Sequence, residues 1–139
     1  MLPHRIEYRV IYGDSDPFDV VYYANYFDFF ERGRTELFRS LGLSYRALAD
    51  QGIYLPVSET HCSFRQSARY DDLLVIETTI SYLRKVRIRF DHAIYRKEPR
   101  ELLAEGYTVH AFVSSRRKVT RPPPQLIDCL RSLDPALIQ

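Results

Sequence analysis

The 139-residue chain has only two cysteines, Cys62 and Cys129, with no C-x-x-C pair and no metal-ligand spacing around them. That excludes a disulfide framework and predicts two reduced, partly buried thiols. No apolar run approaches the roughly 18 residues that a membrane-spanning helix requires. The first residues, M-L-P-H-R-I-E-Y, lack the apolar core of a secretory signal, so the cytoplasm is the expected location. Net charge is small, +2, which gives no global footprint for nucleic acid and leaves an anionic small molecule open as a ligand. No metal is expected, because His4, His61, His92 and His110 fall at no ligand spacing. His92 and His110, both in strand-like segments, are expected to be satisfied core or rim residues. There is no internal repeat and no linker, so one domain over residues 1–139 is expected.

What is present is patterned. Arg5 to Tyr12 alternates and is rich in Ile, Tyr and Val, as a strand is. A helix is predicted from about Tyr23 to Leu41, with Tyr26, Phe27, Phe30, Leu37, Phe38 and Leu41 in an apolar stripe. Gly33 inside that stripe predicts close approach of a sheet, and Gly42 is placed to end the helix. Ser44 is a candidate N-cap for a short helix closed by Gly52. Strands follow over Ile53–Phe64, Leu73–Leu83, Val86–Arg96 and Leu102–Ser115. Leu74, Ile76, Thr78, Ile80 and Tyr82 are assigned to one face of the second of these. In the third, Val86, Ile88, Phe90, His92 and Ile94 face one way and Lys85, Arg87, Arg89 and Asp91 the other. After Pro122-Pro123-Pro124 a short helix is expected over Gln125–Leu133, with Pro124 in its first turn. Strands clustered after a single long helix indicate an α+β fold, a five-stranded antiparallel sheet packed against that helix. The open sheet edges make self-association a physical expectation.

The richest segment is Tyr12–Phe38, Y-G-D-S-D-P-F-D-V-V-Y-Y-A-N-Y-F-D-F-F-E-R-G-R-T-E-L-F. It brings two acids, Asp14 and Asp16, and an acid-proline break to the start of the long helix. A carboxylate beside free backbone N–H groups suits attack on a carbonyl. The competing reading is an Asx-type turn before Pro17. At the helix start no Ser, Thr or Asp caps the first amides; Asn25 as an ordinary N-cap, with the helix beginning a turn later, is the alternative. Tyr22, Tyr23, Tyr26 and Phe27 are either an acyl or aryl pocket or core, with Tyr26 and Phe27 assigned to core. Glu31 is expected to pair with Arg34 or Arg32. The basic stretches Arg84–Arg89, with Arg84, Lys85 and Arg87, and Arg116, Arg117 and Lys118 are either phosphate contacts or solvated faces.

The motif D-S-D-P-x-x-V-V-Y-Y-A-N-Y-x-x-F-F-E-R-x-R-T-E resembles the signature of hotdog-fold acyl-CoA thioesterases of the 4-hydroxybenzoyl-CoA thioesterase type. A second segment, Ser63–Thr78, S-F-R-Q-S-A-R-Y-D-D-L-L-V-I-E-T, is similar to that family's other recurrent stretch. The likeness spans about Arg5 to Ser132. It implies a sheet wrapped around a long helix, with subunits joined edge to edge as homodimers or homotetramers and active sites at the dimer interface. It implies hydrolysis of an acyl-CoA or aryl-CoA thioester, with coenzyme A part of the substrate and no separate cofactor. Residue by residue, it assigns Asp16 as nucleophile or general base and the Tyr23 N–H as oxyanion donor. Tyr22 and Asn25 are candidate substrate contacts beside them, and Arg84, Lys85, Arg87, Arg116, Arg117 and Lys118 are candidate contacts to the coenzyme A phosphates. Two departures stand out. Asp19 replaces a usual glycine, and Tyr23 replaces the histidine of one branch, resembling the aryl-CoA branch instead. The alternatives are another hotdog enzyme and a non-catalytic module binding acyl-CoA or nucleic acid.

Overall fold

The computed structural model describes residues 1–139. The chain runs through β1 (His4–Arg9), a 3-10 turn (Tyr12–Asp14), α1 (Asn25–Ser40), α2 (Tyr45–Asp50), β2 (Ile53–Tyr54), β3 (Val57–Phe64) and β4 (Leu73–Arg84). β5 (Arg87–Arg96), β6 (Glu101–Ala111), β7 (Val113–Ser114) and α3 (Pro124–Leu133) follow. Five strands form one antiparallel sheet in the order β1-β4-β5-β6-β3, and β2 pairs with β7 in a separate two-stranded ribbon.

The predicted strand Ile53–Phe64 is divided in two, because Pro56 lacks the N–H a continuous ladder needs. Similarly, Leu102–Ser115 ends as β6 at Ala111 and resumes as β7, which leaves the main sheet to pair with β2. β4 alternates as expected through Leu74, Ile76, Thr78 and Ile80, all buried. A register shift between Ile80 and Tyr82 then inserts one residue, so Leu83 continues inward and Tyr82 turns away. β5 buries Ile88, Phe90, His92 and Ile94.

α1 crosses the inner face of this sheet. A Cβ on Gly33 would collide with the Thr78 hydroxyl and press on Ile76, so glycine here lets helix and sheet touch. Two apolar clusters result. Tyr26, Phe29 and Phe30 pack with Leu74, Ile76 and Ile94 at the N-terminal end of α1. Leu37 and Phe38 pack with Ile80, Leu83, Phe90, Leu126 and Leu130 at the other. Between them lies a buried polar belt of Arg34, Thr78, His92, Thr108 and His110. The smaller devices match the sequence pattern. Ser44 Oγ accepts the Ala47 N–H at 3.1 Å, and Gly42 and Gly52 both take φ of +77°.

Candidate active site

The segment between β1 and α1 folds back on itself as a tight hairpin. The Asp16 N–H donates to Val20 O at 2.9 Å, the Asp19 N–H to Asp16 O at 3.0 Å, and the Tyr22 N–H to Asp14 O at 2.9 Å. Asp19 adopts φ of +61°, the left-handed conformation that glycine most readily supplies and that aspartate tolerates better than most residues. The turn therefore closes with aspartate in that position. Asp16 is half-buried, and its Oδ1 accepts the Phe18 N–H at 2.8 Å, an Asx turn over Pro17. Its second oxygen accepts no hydrogen bond from the protein.

Asp14 is occupied otherwise. Its Oδ2 accepts the Tyr8 hydroxyl at 2.7 Å and the Ile11 N–H at 3.0 Å, and its carbonyl accepts the Asn25 side-chain amide at 2.9 Å. Burial first, then the bond to Asp14, holds the Tyr8 phenol above its ordinary value. Asp14 thus braces the turn through Oδ2, tied to Tyr8 and the Ile11 N–H, while Asp16 bonds only within its own turn; each carboxylate keeps one oxygen that accepts no hydrogen bond from the protein.

The helix opening differs from expectation in its register. α1 begins at Asn25, with Ala24 at the N-cap and no side-chain cap, so Asn25 is not the cap. The amides of Asn25, Tyr26 and Phe27 are closed by bonds three residues back, to Tyr22 O at 2.9 Å, Tyr23 O at 3.2 Å and Ala24 O at 3.2 Å. The N–H groups of Tyr23 and Ala24 donate to no protein acceptor. The unpaired donors are in the turn before the helix and not in its first helical residues, but they include the one on Tyr23. They also feel the positive end of the α1 dipole.

Contacts between the two recurrent sequence segments hold this opening. The Val21 N–H donates to Ala68 O at 2.8 Å, and the Ala68 N–H returns a bond to the buried Tyr26 hydroxyl at 3.1 Å. Arg96 ties the same loop to Ser67 O at 3.1 Å and to Asp72 at 3.3 Å. Tyr22 and Tyr23 are exposed, with their rings 4.7 Å apart and tilted by 52°; Tyr23 meets Phe64 edge-on at 6.4 Å. The adjacent Tyr23 hydroxyl raises the Tyr22 phenol's pKa most, and the Asp16 charge adds to it. Tyr26 is core, as assigned, and Phe27 is half-buried. Ala68, Phe64 and the Ala24 amide received no role from the sequence. Only Phe64 and Ala68 left a signal there, by falling within the second recurrent segment.

The basic residues lie elsewhere in the chain. Arg84, Lys85 and Arg87 form the β4–β5 hairpin tip, where Arg84 lies over the Tyr82 ring at 5.0 Å and donates to Gln139 at 2.6 Å. Arg116, Arg117 and Lys118 form the turn after β7, with Arg117 at φ of +62°. Both groups sit at the sheet end nearest the C-terminus of α1, whereas Asp16 follows β1 at the opposite end. At about 3.3 Å per residue, the 12 residues of β4 put roughly 35–40 Å between those ends. One chain does not bring these groups to Asp16. Glu31 pairs with neither Arg34 nor Arg32: it points outward, Arg32 covers the Tyr8 ring at 4.6 Å, and Arg34 is buried under the helix.

The sequence pattern of the Thioesterase-like superfamily matches residues 10–130. The chain belongs to that superfamily. It is 34% identical over 119 residues to the acyl-CoA thioester hydrolase YbgC of Escherichia coli O6:H1, covering 86% of this chain and 88% of that protein. Among solved structures, the 1,4-dihydroxy-2-naphthoyl-CoA thioesterase of Synechocystis matches with a TM-score of 0.87 and 25% identity, over 95% of this chain and 98% of that one. The 4-hydroxybenzoyl-CoA thioesterase of Pseudomonas sp. strain CBS-3 matches with a TM-score of 0.84 and 26% identity, over 93% and 99%. The architecture expected from the resemblance, a hotdog sheet around one long helix, is the one this superfamily member has.

Proposed function

We propose that the protein is an acyl-CoA thioesterase, releasing free acid and coenzyme A from an acyl or aryl ester. The observation that carries this reading is the half-free Asp16 carboxylate on the same hairpin as the unpaired N–H groups of Tyr23 and Ala24. A thioester carbonyl needs an attacking oxygen and donors for the oxyanion, and a donor of this kind is worth about 3 kcal/mol in the transition state. Asp16 serves as nucleophile or as general base. In the first case its free oxygen bonds to the carbonyl carbon, the C–S bond breaks, the thiolate takes a proton, and water cleaves the resulting anhydride. In the second it takes a proton from water as the hydroxyl adds, and the tetrahedral intermediate expels the thiolate. No cofactor takes part on either route, and coenzyme A enters as part of the substrate. Tyr22 and Asn25 border the acyl group.

The far placement of the basic residues is consistent with a homo-oligomer. β3 is a sheet edge, and Val57–His61 are exposed along it. Antiparallel pairing of two β3 strands about a two-fold axis sets Phe64 of one copy opposite Val57 of the other. The Arg116–Lys118 turn of one copy then approaches the Asp16 hairpin of the other, where it contacts coenzyme A phosphates. Arg84, Lys85 and Arg87 remain candidate phosphate contacts at the same sheet end. The assembly is a homodimer or homotetramer acting in the cytoplasm on a small molecule, with no nucleic-acid partner.

A thiol-release assay over a panel of aromatic, branched and medium-chain CoA esters, run beside Asp16→Asn, tests the reading. Turnover in the wild type and its loss in a folded variant are expected. Ester binding without turnover in the wild type identifies a binding module, and equal turnover in the variant removes Asp16 from the chemistry. Label recovered in Asp16 after single turnover in ¹⁸O-water identifies the nucleophilic route, because water activated by a general base enters only the product acid.

A further inference from the structure

The polar belt under the middle of α1 is more constrained than a set of buried side chains usually is. Arg34 is 7% exposed, and no carboxylate lies within ion-pair reach of it. Three nitrogens converge on the hydroxyl oxygen of Thr108: Arg34 Nη1 at 3.4 Å, His92 Nε2 at 3.2 Å and His110 Nε2 at 3.0 Å. On the far sides of the two rings, His110 Nδ1 is 2.9 Å from Leu55 O, and His92 Nδ1 is 3.3 Å from the Thr78 hydroxyl.

These contacts have one consistent solution with both rings neutral. A carbonyl oxygen only accepts, so His110 Nδ1 carries a proton and its Nε2 is bare. The Thr108 hydroxyl must then donate to His110 Nε2, which uses its single proton. Toward its other neighbours Thr108 can only accept, from Arg34 and from a protonated His92 Nε2. His92 Nδ1 is therefore bare and accepts from Thr78. A second proton on His110 would face an oxygen that already receives two donors and would leave the Thr108 proton with no acceptor.

The geometry points to Thr108 as a positioning residue: its hydroxyl locks His92 and His110 in opposite neutral tautomers and, through His110, fixes the Leu55–Pro56 segment to the sheet beneath α1. That segment leads into edge strand β3. It also lines a groove of about 620 Å³ with Tyr54, Val113 and Arg117, and its Pro56 carbonyl accepts the Ala111 N–H at 3.2 Å. The charged and titratable groups around the lock are Arg34 from α1, the two histidines facing each other across β5 and β6, and Tyr45 of α2 beside Arg34. Glu31 is the one carboxylate acting on this neighbourhood, through Tyr45. Burial and then the Arg34 charge depress both imidazoles, His110 to about 4, in the direction the hydrogen bonds require.

Long-range ¹H–¹⁵N spectra of the imidazoles in the full chain, assigned by replacing each of the four histidines in turn, test the lock. At pH 7 His92 should be protonated at Nε2 alone and His110 at Nδ1 alone, with both patterns unchanged down to about pH 5. The same tautomer in both rings, or either ring titrating near the ordinary 6.5, overturns the proposal. In Thr108→Val the single-tautomer signature should be lost from at least one ring. Exchange of the Ala111 amide should then rise at least about tenfold relative to the Val10 amide at the other end of the sheet. Unchanged relative exchange with a lost signature overturns the positioning half. Thr108→Ser keeps the hydroxyl and should restore both readouts; it decides the matter together with the wild type if the valine variant does not fold.

Discussion

Two polar regions border α1, and they are built on opposite principles. At its opening, Asp16 keeps a carboxylate oxygen without a protein partner, and the Tyr23 and Ala24 amides donate to nothing. At its middle, under Gly33 and Arg34, Thr108 satisfies three nitrogens at once, and both histidines are bonded on both ring nitrogens. The opening is half-exposed and rimmed by Tyr22, Tyr23 and Phe18; the middle is closed between two apolar clusters. Unpaired polar groups are tolerable where water or substrate reaches them, whereas the same groups in a closed interior cost about 1–3 kcal/mol each. The first region therefore has capacity left for a ligand, and the second spends most of its capacity on architecture, with Arg34 Nε buried and left without a protein partner.

The largest effect is expected at Asp16. Asp16→Asn retains an oxygen to accept the Phe18 N–H, so the melting temperature should stay within about 2 °C while kcat falls by about 10³-fold. A fall in stability matching the fall in rate would show the opening to be structural as well. Gly33→Val should do the reverse. Its side chain overlaps Thr78, so denaturant unfolding should report a loss of about 2–3 kcal/mol, with activity per folded molecule retained.

Acid acts on the closed region through His110. His110 binds its proton at about 4 when folded and near 6.5 when unfolded, so the unfolded chain holds more protons between those values. Its contribution is whole above about pH 6.5 and lost as pH falls toward 4, on the order of 3 kcal/mol over the window. Urea titrations at intervals of pH check this. His110→Gln should flatten that part of the profile, and an unaltered slope would locate the acid sensitivity elsewhere. Neutralising Arg116, Arg117 and Lys118 together should raise KM for CoA esters about tenfold and leave KM for short pantetheine esters nearly unchanged. Equal effects on both would argue against phosphate contact. The smallest effect expected is Ser44→Ala, which removes the α2 cap and should cost about 1 kcal/mol with no kinetic consequence.

Much of the opening was legible from residue types. D-S-D-P announced a turned carboxylate, and Gly33 announced contact with a sheet. Ser44, Gly42 and Gly52 announced their caps because such signals act over three or four residues. The misreadings share a cause. Helix spacing puts Arg34 four residues from both Phe30 and Phe38, inside the buried stripe, but charge suggested a surface pair with Glu31. Tyr82 followed the alternation until a one-residue bulge, set by pairing with β5, turned it outward. Pro56 was present in plain view within an otherwise strand-like run. The free amides on Tyr23 and Ala24 depend on which carbonyls the next three residues find, and composition does not state that.

The order of polar and apolar residues alone determined one long helix against an antiparallel sheet, the turn at Pro17 and the acid beside the helix start. Those properties follow from steric preference and periodicity, which each short stretch carries in itself. Packing set the rest: Asp14 Oδ2 is tied to Tyr8 of β1 while Asp16 bonds only within its own turn, the basic turns stand at the far end of the sheet, and Thr108 joins α1 to Leu55 through Arg34 and His110. Hydrogen-bond capacity is shared among residues distant in sequence, and only their packing determines which donor reaches which acceptor.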